Sequence, residues 1–239
     1  MSILNQIQWR FLPHHTYFRV CAGATAKIGR NVSIRNSRII ITPGSSLEIA
    51  DNVSIENAVI SVTDGKCFIG LASLIGSRRT HTMLNIENGA VVIGHHSNIE
   101  ARRLWVRFGG CLTIGNHSNV NIGSEIRCDE RITIGDYDQI SYNVNIWDTN
   151  THQILSTKER REVADRYYPF FGKEVAKPST KPVSIGNDCW IGQNSTLLKG
   201  SNIGNEVIVG YNTIIPGRSI PDNVTVVPNI DLKIVNRKK

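Results

Sequence analysis

No apolar run in the 239 residues approaches the roughly 18 needed to span a bilayer, so a transmembrane helix is not expected. The opening stretch, Met1 to Arg10, has no basic flank and no long apolar core, which argues against a secretory signal. Cysteine is sparse: Cys21, Cys67, Cys111, Cys128 and Cys189 are widely spaced, odd in number and without a C-x-x-C pair. Neither a zinc ribbon nor a disulfide framework fits, and a cytoplasmic location is the simplest expectation. Helix-favouring aliphatics are scarce too. There are 12 Leu and 2 Met against 32 Ile and 19 Val, and β-branched side chains favour strands. A mostly helical protein is thereby not expected. What is present is 27 Lys and Arg against 20 Asp and Glu, a net charge of +7. That suits an acidic partner, and cofactor phosphates, an anionic glycan, a membrane surface and nucleic acid would all fit the charge. Nucleic acid is not expected, because no basic run is interleaved with aromatics.

The chain counts in sixes. Ile185, Ile191, Leu197, Ile203, Val209 and Ile215 are spaced by six, and Gly186, Gly192, Gly204 and Gly210 each follow one of them. The same register holds at Ile134, Ile140 and Ile146, at Ile114, Val120 and Ile126, at Ile93 and Ile99, and earlier at Ile28, Ile34, Ile49 and Ile55. Around 60–90 and 100–112 the count breaks while the composition persists. Six fits neither a helix of 3.6 nor a two-sided strand. It fits a short strand plus a corner, three of which close one triangular coil of a stacked prism. Solenoid ends need covers. Ile3, Leu4, Ile7 and Phe11 share one helical face before Pro13, which predicts a short helical cap within residues 1–20. The coil itself is expected over 21–215, followed by a C-terminal cap and basic tail over 216–239.

The count runs cleanly to Ile146 and resumes at Ile185, so a long loop, 147–183, leaves the coil there. Loops of this length inside a compact domain are uncommon and often functional. The segment from Ile134 to Asn212 resembles the hexapeptide-repeat acyltransferases, in particular the O-acetyltransferases of bacterial surface polysaccharides. Two features carry the resemblance: Ile146, Asp148 and His152 where the loop departs, and Ser184-Ile185-Gly186-Asn187-Asp188-Cys189-Trp190-Ile191-Gly192 followed by Leu198-Lys199-Gly200.

The resemblance implies an all-β, left-handed parallel β-helix, assembled as a homotrimer. It also implies acetyl-CoA as acyl donor and no metal. Its acceptor would be a glycan or glycan precursor, with His152 as general base in a direct transfer. From the sequence alone His152 is one of seven histidines. An imidazole suits the task because its ordinary pKa lies near neutrality. Asp148 would orient that imidazole, serve turn chemistry or belong to a solvated loop. Trp190, Gly192, Lys199, Gly210 and Tyr211 would face the cofactor, and Asn121 and Asp129 the acceptor. The family's usual Gly-Ala-Gly-Ser is replaced here by Gly210-Tyr211-Asn212-Thr213. Three other readings compete. One is an N-acetyltransferase acting on an amino-sugar nucleotide. Another is a prism that has lost catalysis and serves as a scaffold. A third is a metal-dependent hydratase, disfavoured because Ile122 stands where a second histidine after His117 would be needed.

Overall fold

The computed structural model describes residues 9–12, 15–169, 176–230, 233 and 235. They form a parallel β-solenoid of about ten coils with a single short helix, the architecture that the left-handed β-helix resemblance implies. Each coil has three faces. Two belong to one 16-stranded sheet that wraps round a corner, and the third is a separate 9-stranded sheet. The wrapping is visible in Ala58–Ile69, Thr82–Ile93 and Arg103–Ile114, single strands of 12 residues that bend through that corner and so serve the first and second faces in turn.

The hexad positions become three internal columns. On the first face Ile60, Leu84, Leu104, Ile126, Ile146, Leu197 and Ile215 stack in register. On the second, Ile69, Ile93, Ile114 and Ile134 do so, and on the third Ile75, Ile99, Val120, Ile140, Ile191 and Val209. All are essentially without solvent contact. The lost count in the first half has a simple cause. Val59 pairs with Met83, 24 positions on, whereas Thr196 pairs with Ile214, only 18 positions on. Early coils carry extra corner residues, while the strands still land in register.

Two expectations need correction. Residues 9–12 are not helical: Trp9–Leu12 is a strand that pairs antiparallel with Thr16–Val20, while residues 1–8 lie outside the described residues. Hydrogen bonding to the exposed edge of the first coil outweighs the local helical pattern there. At the other end, coiling continues past 215. Ser219–Ile220 and Thr225–Val226 pair with Asn202–Ile203 and Ile208–Val209. Ile220 follows Ile215 by five positions, which hid this coil from a strict count of six. Most of the basic tail lies outside the described residues.

The corner between the second and third faces is tied by a polar ladder. Ser73, Ser97 and Ser118 each accept a backbone N–H from the next coil, at Ser97, Ser118 and Asp138. Each also donates its hydroxyl to the carbonyl of Gly94, Gly115 or Gly135, at 2.7, 2.8 and 2.8 Å. The glycines are enforced here: a Cβ on Gly115 would lie 2.4 Å from the Gly135 oxygen. Asp138 occupies the next rung. Its Oδ1 accepts the Cys189 N–H at 2.7 Å, and its buried Oδ2 has no hydrogen-bond partner among the described residues.

A serine hydroxyl brings a proton to this position; a carboxylate does not. Burial pushes the Asp138 carboxyl up to about 7, against the downward pull of the Cys189 N–H. The raised folded-state value makes the group's contribution to stability complete below its unfolded value, near 3.8. That contribution is lost as pH rises through about 7. Asp138→Ser should therefore raise the melting temperature at pH 8, by on the order of 1–3 kcal/mol in stability, with the gain vanishing towards pH 4. Thermal unfolding across that range checks it, and a gain independent of pH would contradict it.

Candidate functional site

The loop leaves the prism at the corner shared by the first and second faces. Its neck is stitched shut. Asp148 donates its N–H to Arg127 and accepts the Lys181 N–H on its carbonyl, Asn150 donates to Ser179, and Thr149 bridges Thr180. Within the expected loop, Thr157–Tyr167 forms an exposed helix. Its start is a capping box in which Ser156 and Glu159 satisfy each other's backbone N–H.

Asp148 is fully buried, and its carboxylate is committed to the corner below. Oδ1 accepts the Asp129 N–H at 2.8 Å, and Oδ2 accepts those of Glu130 and Arg131 at 2.8 and 2.7 Å. Burial outweighs these donors and leaves its pKa raised. All three of these hydrogen bonds go to backbone N–H groups of the turn at Asp129–Arg131. Asp129 is also fully buried. It receives a bidentate contact from Arg107, Nε to Oδ1 at 2.9 Å and Nη2 to Oδ2 at 2.8 Å, and Arg107 itself is only 6% exposed. Such planar, paired geometry is the strong form of the arginine–carboxylate contact.

This buried pair reaches the loop. Arg107 Nη2 donates to the Thr151 carbonyl at 3.4 Å, and Arg127 Nη1 to the Thr151 hydroxyl at 3.3 Å. Thr151 is held at φ 69°, an outlying conformation for a β-branched residue and one that persists only when its surroundings enforce it. The next residue is His152, whose side chain is exposed above the neck.

Around Arg107 the outward positions of the first face form a cluster the sequence reading missed. Glu125, fully buried, receives Arg102, Arg103 and Arg127. Burial would raise its carboxyl, but the hydrogen bonds of Arg127 and Arg103 hold it below the ordinary range. Trp105, Arg127 and Trp147 occupy one outward row across three coils, with the Arg127 guanidinium 4.7 Å from the Trp147 ring centroid. The signal was the alternation Arg103, Trp105, Arg107 with Glu125, Arg127 one coil on. It becomes readable only when the 22-position offset from Arg103 to Glu125 is known.

The expected site residues therefore fall into two groups. His152, Asp148, Asp129 and Lys199 share the loop corner, where Lys199 Nζ bonds Ser179 Oγ at 2.9 Å. Trp190 lies on the outer wall of the third face, 54% exposed. Asn121, Gly192, Gly210 and Tyr211 sit at the corner between the third and first faces. Tyr211 is exposed and its hydroxyl meets Asn194 at 3.1 Å; Asn121 donates to the Ile140 carbonyl. A Cβ on Gly192 would lie 2.6 Å from the Val209 oxygen, so close stacking of coils already requires that glycine. Because the third face is opposite the loop corner, one chain does not bring Trp190 to His152. His96, His117 and Tyr137 stack at 5.0 and 4.7 Å on the remaining corner.

Comparison with known proteins adds the following. Residues 182–217 match the family described as bacterial transferase hexapeptide (six repeats), a segment that contains Trp190, Gly192, Lys199, Gly210 and Tyr211. The chain is 32% identical over 128 residues to the putative lipopolysaccharide biosynthesis O-acetyl transferase WbbJ of Escherichia coli K12, covering 54% of this chain and 61% of that protein. It is 28% identical over 121 residues to the galactoside O-acetyltransferase of the same organism, covering 51% and 52%. The chain thus spans between half and two thirds of the length of these relatives. Among solved structures, the polySia specific acetyltransferase NeuO shares the fold with a TM-score of 0.58 at 17% identity, over 91% of this chain and 79% of its own. The resemblance to hexapeptide-repeat acyltransferases stands on these findings.

The Arg107–Asp129 pair can be tested directly. Arg107→Ala strands a fully buried carboxylate and should cost about 3–5 kcal/mol in denaturant unfolding, whereas Arg107→Met combined with Asp129→Leu should cost much less. A single variant within 1 kcal/mol of wild type would sink the assignment.

Proposed function

We propose that this protein is an acetyl-CoA-dependent O-acetyltransferase acting on a hydroxyl of a glycan or glycan precursor. The observation that carries the reading is a histidine on a loop whose base is locked to a hexapeptide prism by Asp148, Arg107 and Arg127. The O-acetyltransferases with which the chain shares sequence support the reaction class. Acetyl-CoA supplies an acyl group activated as a thioester. His152 takes the proton from the acceptor hydroxyl as its oxygen bonds to the acyl carbon, and it returns that proton to the departing thiolate. Thr151, pinned by two arginines, fixes where the imidazole sits, and such placement is worth a large share of a barrier.

Trp190 and Ile208 stack on adjoining coils of the third face, 54% and 41% exposed. This apolar strip fits the thioester's uncharged arm. Since Trp190 and His152 lie on opposite sides of one prism, the complete site would form between neighbouring copies, which favours the homotrimer. Five unpaired cysteines fit a reducing, cytoplasmic setting.

His152→Ala should lower transfer by about 100- to 10,000-fold. It should keep the rise in melting temperature that acetyl-CoA and CoA, but not ATP, confer on the wild type. An unchanged rate would remove His152 from the role, and a product stable to mild alkali would favour the amide-forming alternative. Absence of any acetyl-CoA shift in a folded trimer would leave the scaffold reading.

A further inference from the structure

The first face, beside the loop neck, is rich in donors and poor in acceptors. Each guanidinium carries five N–H groups, while one carboxylate accepts about four hydrogen bonds. Arg102, Arg103 and Arg127 share the single carboxylate of Glu125. The nearby Glu87 accepts the Trp105 indole N–H at 3.1 Å, and Asp129 is taken up by Arg107. Arg103 Nε and the Trp147 indole nitrogen find no partner among the described residues. The buried carboxylate also holds these side chains in place. Arg103 and Arg127 are 22% and 18% exposed, and Arg102 stands at the rim, 57% exposed. Indole rings lie among them: Arg103 and Arg107 stand 4.6 and 4.2 Å from the Trp105 centroid.

We infer that this arginine–tryptophan face is a binding site for a carboxylate-bearing sugar of the acceptor. Fixed guanidiniums match a carboxylate in a planar, two-pronged way that a lysine does not. The indoles back the guanidiniums, Trp105 against Arg103 and Arg107 and Trp147 against Arg127, and so help to fix their planes. The site adjoins the chemistry, because Arg127 holds both Glu125 and Thr151, the residue before His152. The inference rests on the acceptor's being a glycan and deepens that reading. Phosphates of the acyl donor are the other anionic oxygens that such a face could attract.

The test is calorimetric titration of the full chain, wild type and Arg102→Gln, with four probes: oligogalacturonate, a sialyl oligosaccharide, maltohexaose and CoA. Arg102 is at the rim, so its variant keeps the fold, which a melting curve verifies. At least one acidic oligosaccharide should bind ten or more times tighter than the neutral one. Added salt should weaken that binding, and Arg102→Gln should weaken it about tenfold while CoA affinity stays put. Equal binding of acidic and neutral sugars would overturn the inference. So would no acidic binding at millimolar concentration, or a loss in Arg102→Gln that falls on CoA instead. Acidic-sugar binding without any CoA binding would leave this site standing and remove the transferase reading. The reverse pattern would remove only this site.

Discussion

Everything in this molecule hangs on the inter-coil hydrogen bond, N–H of one rung to the carbonyl of the next, repeated along three faces. It fixes the strand spacing at about 4.8 Å and therefore the pitch of every column of side chains. An inward aliphatic chain then always meets an inward aliphatic chain. Ile126 on Ile146 on Leu197 is a packing result of the ladder, not of long-range shape matching. Because each coil touches only its neighbours, stability accumulates rung by rung.

The same constraint makes corners the expensive places. Backbone groups there turn away from the ladder and need other partners. The serine rungs at 73, 97 and 118 meet that need with one hydroxyl acting both as acceptor and donor. Asp148 meets it at another corner with one carboxylate serving three N–H groups. A long insertion is tolerated after Trp147 because the next rung resumes in register at Val183 and the neck is closed on itself. Structural necessity and the proposed chemistry meet at that point: beside the corner that Asp148 closes, Arg107 and Arg127 hold Thr151, the residue before His152.

The first face shows how a solenoid turns sequence alternation into a surface. Outward residues on successive coils lie one above another, so Trp105, Arg127 and Trp147 become neighbours although 20 or more positions separate them. Burying Glu125 and Asp129 there is favourable only because guanidiniums surround them, and removing either partner exposes the full cost. The price of that arrangement is a face that is rigid, cationic and partly aromatic, next to the loop that carries the proposed base.

Local sequence determined the architecture. A period of six with glycine after the aliphatic position prescribes strand, corner and inward column whatever surrounds it, which is why Ile185 to Ile215 reads directly as coils. It also marked the insertion, since a broken count between Ile146 and Ile185 is visible without coordinates. The tertiary structure decided what the count does not carry. Pairing to an open sheet edge made Trp9–Leu12 a strand although its apolar spacing is helical. Coils of unequal length set which residues share a rung, so the arginine cluster around Glu125 and the Arg107–Asp129–Thr151 connection emerged only with the register. The prism's cross-section put Trp190 across from His152, a separation that spacing along the chain does not encode. Periodicity is a local property and survives in sequence. Which outward side chains meet depends on accumulated corner lengths, and those are settled only when the whole ladder closes.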